Sequence, residues 1–140
     1  GAKVGLANLV MIIAVFTLRW RQVWVMQILR LLITALFTGF SVFLYSFAGG
    51  ILSLLAMYLM KQFGPKLVSM IGISTVGGFF HNFGQLAMAS LLAKTTSVML
   101  YLPWLAFFGI LAGFAIGIAG NQLNLFKNYL LKKVNNGLKK

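Results

Sequence analysis

His81-Asn82-Phe83-Gly84-Gln85 interrupts an otherwise apolar run with three side chains that both donate and accept hydrogen bonds. On a helix His81 and Gln85 stand four apart and share a face, with Asn82 beside them. An unpaired polar group in hydrocarbon costs several kcal/mol, roughly, so a segment that keeps three must satisfy them with neighbouring helices or with a ligand. Both uses are open on the residues alone. Arg30 poses the same question more sharply. It lies near the middle of an apolar stretch in a chain with no Asp or Glu, so its counter-charge must be backbone carbonyls and water, an acid on another segment or subunit, or an anionic ligand taken by the guanidinium fork.

These residues sit in a membrane-type composition. The 140 residues are 61% hydrophobic and 9% charged, with 12 Lys and Arg and no acid, a net charge of +12. A soluble domain is about a quarter charged. The basic residues cluster between the apolar runs, as loops facing anionic lipid do, and nothing resembles a recognition helix, so no nucleic-acid partner is expected. With no acids, no Cys and one His, the chain lacks the carboxylates that hold Mg²⁺, a carboxylate pair for hydrolysis and the ligands of ordinary zinc sites. A self-contained enzyme is not expected, nor is any cofactor.

The elements that must position these groups follow from breaks in the apolar pattern. The first run, 4–18, would rise only about 22 Å as a helix and must borrow its flanks to cross a core of about 30 Å. Residues 22–60 hold only Arg30 as a charge and would make about 58 Å of helix, which is two spans. Thr38-Gly39 divides them into 22–37 and 40–60, leaving Gly49-Gly50 as a close-packing point or mild kink inside a helix. Lys61-Gln62-Phe63-Gly64-Pro65-Lys66 is a loop on an aqueous side. The His81 segment spans 68–93, and a last span, 99–126, opens with Pro103 in its first turn and carries Gly109, Gly113 and Gly117 at four-residue spacing as a packing face. Residues 127–140 form a cationic amphipathic tail expected on the lipid surface. The sequence therefore predicts an all-α integral membrane protein, one compact bundle of five transmembrane helices. Nine basic residues fall on the side of the tail and two, Lys3 and Lys94, on the other, which places the C-terminus in the cytoplasm. Residue 1 then lies outside with no signal to send it there, so a further span is expected ahead of it.

Gly1-Ala2-Lys3-Val4-Gly5-Leu6-Ala7-Asn8, Arg30, Leu44-Tyr45-Ser46-Phe47-Ala48-Gly49-Gly50, His81-Asn82-x-Gly84-Gln85 and Leu102-Pro103 together resemble the Gx transporter family. That family is often labelled heptaprenyl diphosphate synthase component I and is similar to the substrate-binding S components of energy-coupling-factor (ECF) transporters. The resemblance covers essentially the whole chain. It implies a six-span, S-component-like fold in the bacterial inner membrane, of which the five spans read above are the last five. It also implies capture of a small metabolite or vitamin-like precursor, possibly anionic, and delivery with an energy-coupling membrane subunit and ATPase subunits. The chain's own features agree, since it has intramembrane polar groups and no nucleotide motif. Lys3, Asn8, Arg30, His81, Asn82 and Gln85 are the expected pocket. Two other roles compete: a non-catalytic accessory protein of isoprenoid or quinone metabolism, and a structural membrane protein whose polar groups only join helices.

Overall fold

The computed structural model describes the backbone of residues 2–63 and 68–137 and the side chains of residues 10–63 and 68–136. It is all-helical, with no strand among the described residues: α1 (Ala2–Thr17), α2 (Trp20–Thr38), α3 (Phe40–Gln62), α4 (Met70–Ala93) and α5 (Leu102–Gly137), with a short 3-10 helix at Thr96–Tyr101 before α5.

Local chemistry explains most of the boundaries. Arg19 caps α2 in an extended conformation, and Gln22 folds back so that its side-chain oxygen accepts from the Arg19 N–H at 3.1 Å. A single residue, Gly39, separates α2 from α3. Its φ of +88° reverses the chain in a way a side chain would resist. The Ser69 hydroxyl accepts from the Gly72 N–H at the start of α4. At the other end of α4, Lys94 takes the left-handed conformation (φ 52°), and Thr95 then caps the 3-10 helix. The Gly64-Pro65-Lys66 part of the expected loop lies outside the described residues.

Successive helices from α2 onward run antiparallel, as the paired positions show: Gly50 meets Gln27 and Tyr58 meets Trp20, Gly49 meets His81 and Met57 meets Gly77, and Gly78 meets Gly109 while Ile71 meets Gly117. α4 is the central helix, packed most extensively on α5 and α3. The contacts on both sides are between backbones. A Cβ at Gly84 would fall 2.7 Å from the Ala48 carbonyl oxygen, and one at Gly117 would fall 2.7 Å from the Ile71 Cα. Gly109, Gly113, Gly117 and Gly120 form the buried stripe of α5. α1 and α2 attach differently, through large side chains. Ile12, Val15, Val23, Leu54 and Ile73 are almost fully buried in an apolar cluster that joins them to α3 and α4. Trp20 stacks on Tyr58 at 4.2 Å, and the Lys61 ammonium donates to the Val15 carbonyl at the open end of α1 while standing over the Phe16 ring.

Two of these segments, Phe40–Gln62 and Thr96–Asn136, are long and apolar enough to cross a membrane. In its described part the expected tail is helical. It is the continuation of α5, which runs unbroken for 36 residues, about 54 Å. Between Asn121 and Asn136 there is neither Pro nor Gly to stop it. Beyond Gly120, which abuts Ile12 and Met70, its residues are nearly all exposed.

Candidate functional site

A cavity of about 300 Å³ lies inside the bundle, with walls from all five helices. The polar side chains come from three of them. α2 contributes Gln27 and Arg30, one turn apart on one face; α3 contributes Ser53; α4 contributes Ser74, His81, Asn82 and Gln85. Four of the six expected pocket residues, Arg30, His81, Asn82 and Gln85, are thus brought together. The side chains of Lys3 and Asn8 lie outside the described residues.

Glycines make this assembly possible. On α3, Gly49 and Gly50 face different neighbours. A Cβ at Gly49 would lie 2.6 Å from the His81 carbonyl oxygen and 2.7 Å from Gln85 Cγ, whereas one at Gly50 would collide with the Gln27 side-chain nitrogen. Consecutive glycines therefore let α3 seat α4 on one side and admit the Gln27 amide on the other. Gly109 plays the matching part on α5. The Asn82 Nδ2 donates to the Leu105 carbonyl at 2.6 Å, reaching the α5 backbone across the space that a Gly109 Cβ would fill. Asn82 is therefore occupied as an interhelical tie while it lines the cavity.

Of the other polar groups, His81 meets the Gly49 backbone, while the Gln27 amide nitrogen has no partner among the described residues. His81 is 8% exposed, Ser53 8%, Ser74 5% and Gln27 2%, and the Gln27 Nε2 is fully buried. A buried amide nitrogen left unpaired is unfavourable by about 1–3 kcal/mol, and one that lines a cavity has a place where a partner would sit. Gln27, Ser53 and Ser74 are absent from the sequence-derived pocket. Ser74 had a readable signal, because Ser74, Gly77, Gly78, His81 and Gln85 recur at helical spacing along one face of α4. Gln27 precedes Arg30 by one turn. Ser53 carries no signal of its own, since its place depends on how α3 docks.

A model of the heptaprenyl diphosphate synthase component I family matches residues 1–123. The chain belongs to that family. The matched region contains every residue that lines the cavity, so the cavity lies wholly within the part of the chain shared with the heptaprenyl diphosphate synthase component I family. No curated protein and no solved structure matches the chain.

Proposed function

We propose that this protein is a membrane-embedded substrate-binding subunit, S-component-like, that captures a small metabolite in the bundle cavity for uptake with an energy-coupling membrane subunit and ATPase subunits. The observation that carries the reading is the cavity itself: a cluster of buried polar side chains around about 300 Å³ of space inside an apolar helical bundle. Polar groups kept at such depth mark substrate paths in membrane proteins. In this reading all five helices cross the plasma membrane, α1, α2 and α4 making up in bundle packing what they lack in apolar length. The basic end formed by Arg19, Arg21, Lys61 and the α5 extension faces the cytoplasm. The subunit performs no catalysis of its own, since no carboxylate is present to hold Mg²⁺ or a diphosphate.

The family description favours a second reading, a non-catalytic accessory protein that holds an isoprenoid diphosphate. In that reading the cavity would take the diphosphate end alone, because a tail of seven isoprene units, roughly 35 carbons at about 30 Å³ each, needs several times the available space and would lie outside it against lipid.

Native mass spectrometry of the purified full chain separates the two. Uptake predicts a small polar molecule that is bound by the wild-type protein and lost from Arg30→Gln, with the folded protein retained. Retention of an isoprenoid by both proteins would favour the accessory role, and stable protein that never binds a small molecule would leave the polar groups as structural ties. Orientation is tested separately. The chain has no cysteine, so Thr96→Cys should react with an impermeant thiol reagent from outside intact cells and Asn136→Cys only after permeabilisation. The reverse pattern would overturn the orientation.

A further inference from the structure

Resting on the reading of the cavity as a substrate site, we infer that it selects a compact organic monoanion rich in hydrogen-bond acceptors, held by the Arg30 guanidinium together with the Gln27 amide that Gly50 admits.

The charge of the ligand follows from what surrounds it. Arg30 is the one permanently cationic side chain among the described residues lining the cavity, and the chain has no carboxylate to neutralise it. A cationic or amine-bearing ligand would bring a second positive charge beside Arg30 with no acid to receive it, and burying an uncompensated charge is strongly unfavourable. A diphosphate errs in the other direction, carrying several negative charges to a single fixed cation. One carboxylate matches one guanidinium, in the bidentate geometry that suits both.

The hydrogen-bonding inventory gives the rest of the chemistry. The guanidinium and the unpartnered Gln27 Nε2 can only donate. Asn82 has committed one of its two amide N–H groups to Leu105, and His81 meets the Gly49 backbone. Ser53, Ser74 and Gln85 can turn to either role, so the guanidinium, the one group of fixed polarity, and the unpartnered Gln27 nitrogen beside it set the preference, and they call for acceptors. The space itself, about 300 Å³, is at the small end of ligand sites and suits a compact molecule.

Gln27 is the decisive residue because its amide is both buried and unpaired. Its nitrogen passes over α3 where only Gly50 leaves room, and it stands one helical turn before Arg30, on the same face. Gln27 and Arg30 thus form a two-residue anion clamp on α2, and Gly50 is its positioning residue on α3.

The test uses the full chain in lipid nanodiscs and matched pairs of ligands that differ only in charge: nicotinate against nicotinamide, salicylate against salicylamide, pantothenate against pantothenol. Geranyl diphosphate and thiamine represent the excluded classes. Affinities are read by thermal shift and calorimetry. At least one acid should bind on the order of tenfold more tightly than its neutral partner, and both excluded classes should bind more weakly than that acid. Gln27→Glu keeps the shape but sets a carboxylate against Arg30. It should lower the affinity for the acid by at least about tenfold while the ligand-free melting temperature holds or rises. Gly50→Ala should reduce the acid-to-neutral preference, a ratio that a general loosening of the bundle would leave unchanged. Wild-type acid binding by Gln27→Glu, or no acid preferred over its neutral partner, overturns the inference. Binding of thiamine or geranyl diphosphate that is lost in Arg30→Gln overturns the inference and leaves the substrate-site reading standing. Failure of every probe, together with an empty cavity by native mass spectrometry, sinks both.

Discussion

The two halves of this bundle are held together by different means. Between α3, α4 and α5 the backbones touch, and the residues at the contacts are glycines whose replacement would force the helices apart. Between α1, α2 and the rest, large side chains fill the gap: Ile12, Val15, Val23 and Leu54 below, and the stacked Trp20 and Tyr58 at the basic end. In lipid, apolar contact between helices gains little over contact with acyl chains, so close backbone approach and interhelical hydrogen bonds carry association. In the proposed membrane setting the glycine-built half satisfies that requirement. The side-chain-built half leaves a seam, and the cavity lies along it, with α3, α4 and α5 as a fixed floor and the α2 residues Gln27 and Arg30 facing them. The buried polar groups line this seam, where the helices do not close on one another.

This contrast predicts a graded response to substitution. The largest effect is expected at Gly113, where a Cβ would strike the Ser74 carbonyl oxygen and approach the Thr75 Cα to 2.8 Å. Gly113→Leu should destabilise by about 4 kcal/mol or more, seen as loss of monodisperse protein on size-exclusion chromatography. A well-behaved variant would show that α4 and α5 are free to separate. Next comes Leu54, which is fully buried between the two halves. Leu54→Ala should cost about 2–5 kcal/mol, measured by unfolding in mixed micelles, while the α4–α5 contact persists. The smallest effect belongs to the outer face of α2. Leu36 is 81% exposed, so Leu36→Ala should stay within about 0.5 kcal/mol of the wild type. A larger loss would mean that another protein surface covers this face.

The sequence revealed the first half of this comparison better than the second. The four-residue spacing of Gly109, Gly113 and Gly117 marks a packing face without reference to its partner, and the Thr38-Gly39 break is visible because so few residues tolerate the backbone turn needed there. His81, Asn82 and Gln85 stand out because their polarity contradicts their surroundings. Gln27 does not, since a glutamine one turn before an arginine reads as an ordinary polar neighbour until Gly50, on another helix, is seen to leave room for it. Asn82 shows the opposite limit: its polarity is legible, but its donation to Leu105 depends on the α4–α5 register. The end of the last apolar run does not mark the end of its helix. A change from apolar to cationic composition marks a change of solvent, and the helix continues through it because the backbone meets no residue that stops it.

That uninterrupted helix has a practical consequence. A bundle this small offers little for image alignment in electron microscopy, but α5 leaves it as one continuous rod carrying the bundle's orientation with it. A soluble helical scaffold joined in phase after Asn136 would report the position of α5, and because α5 contributes Gly109, Ala112, Gly113 and Ile116 to the cavity wall, the fused mass would serve as an external pointer to the tilt of that wall.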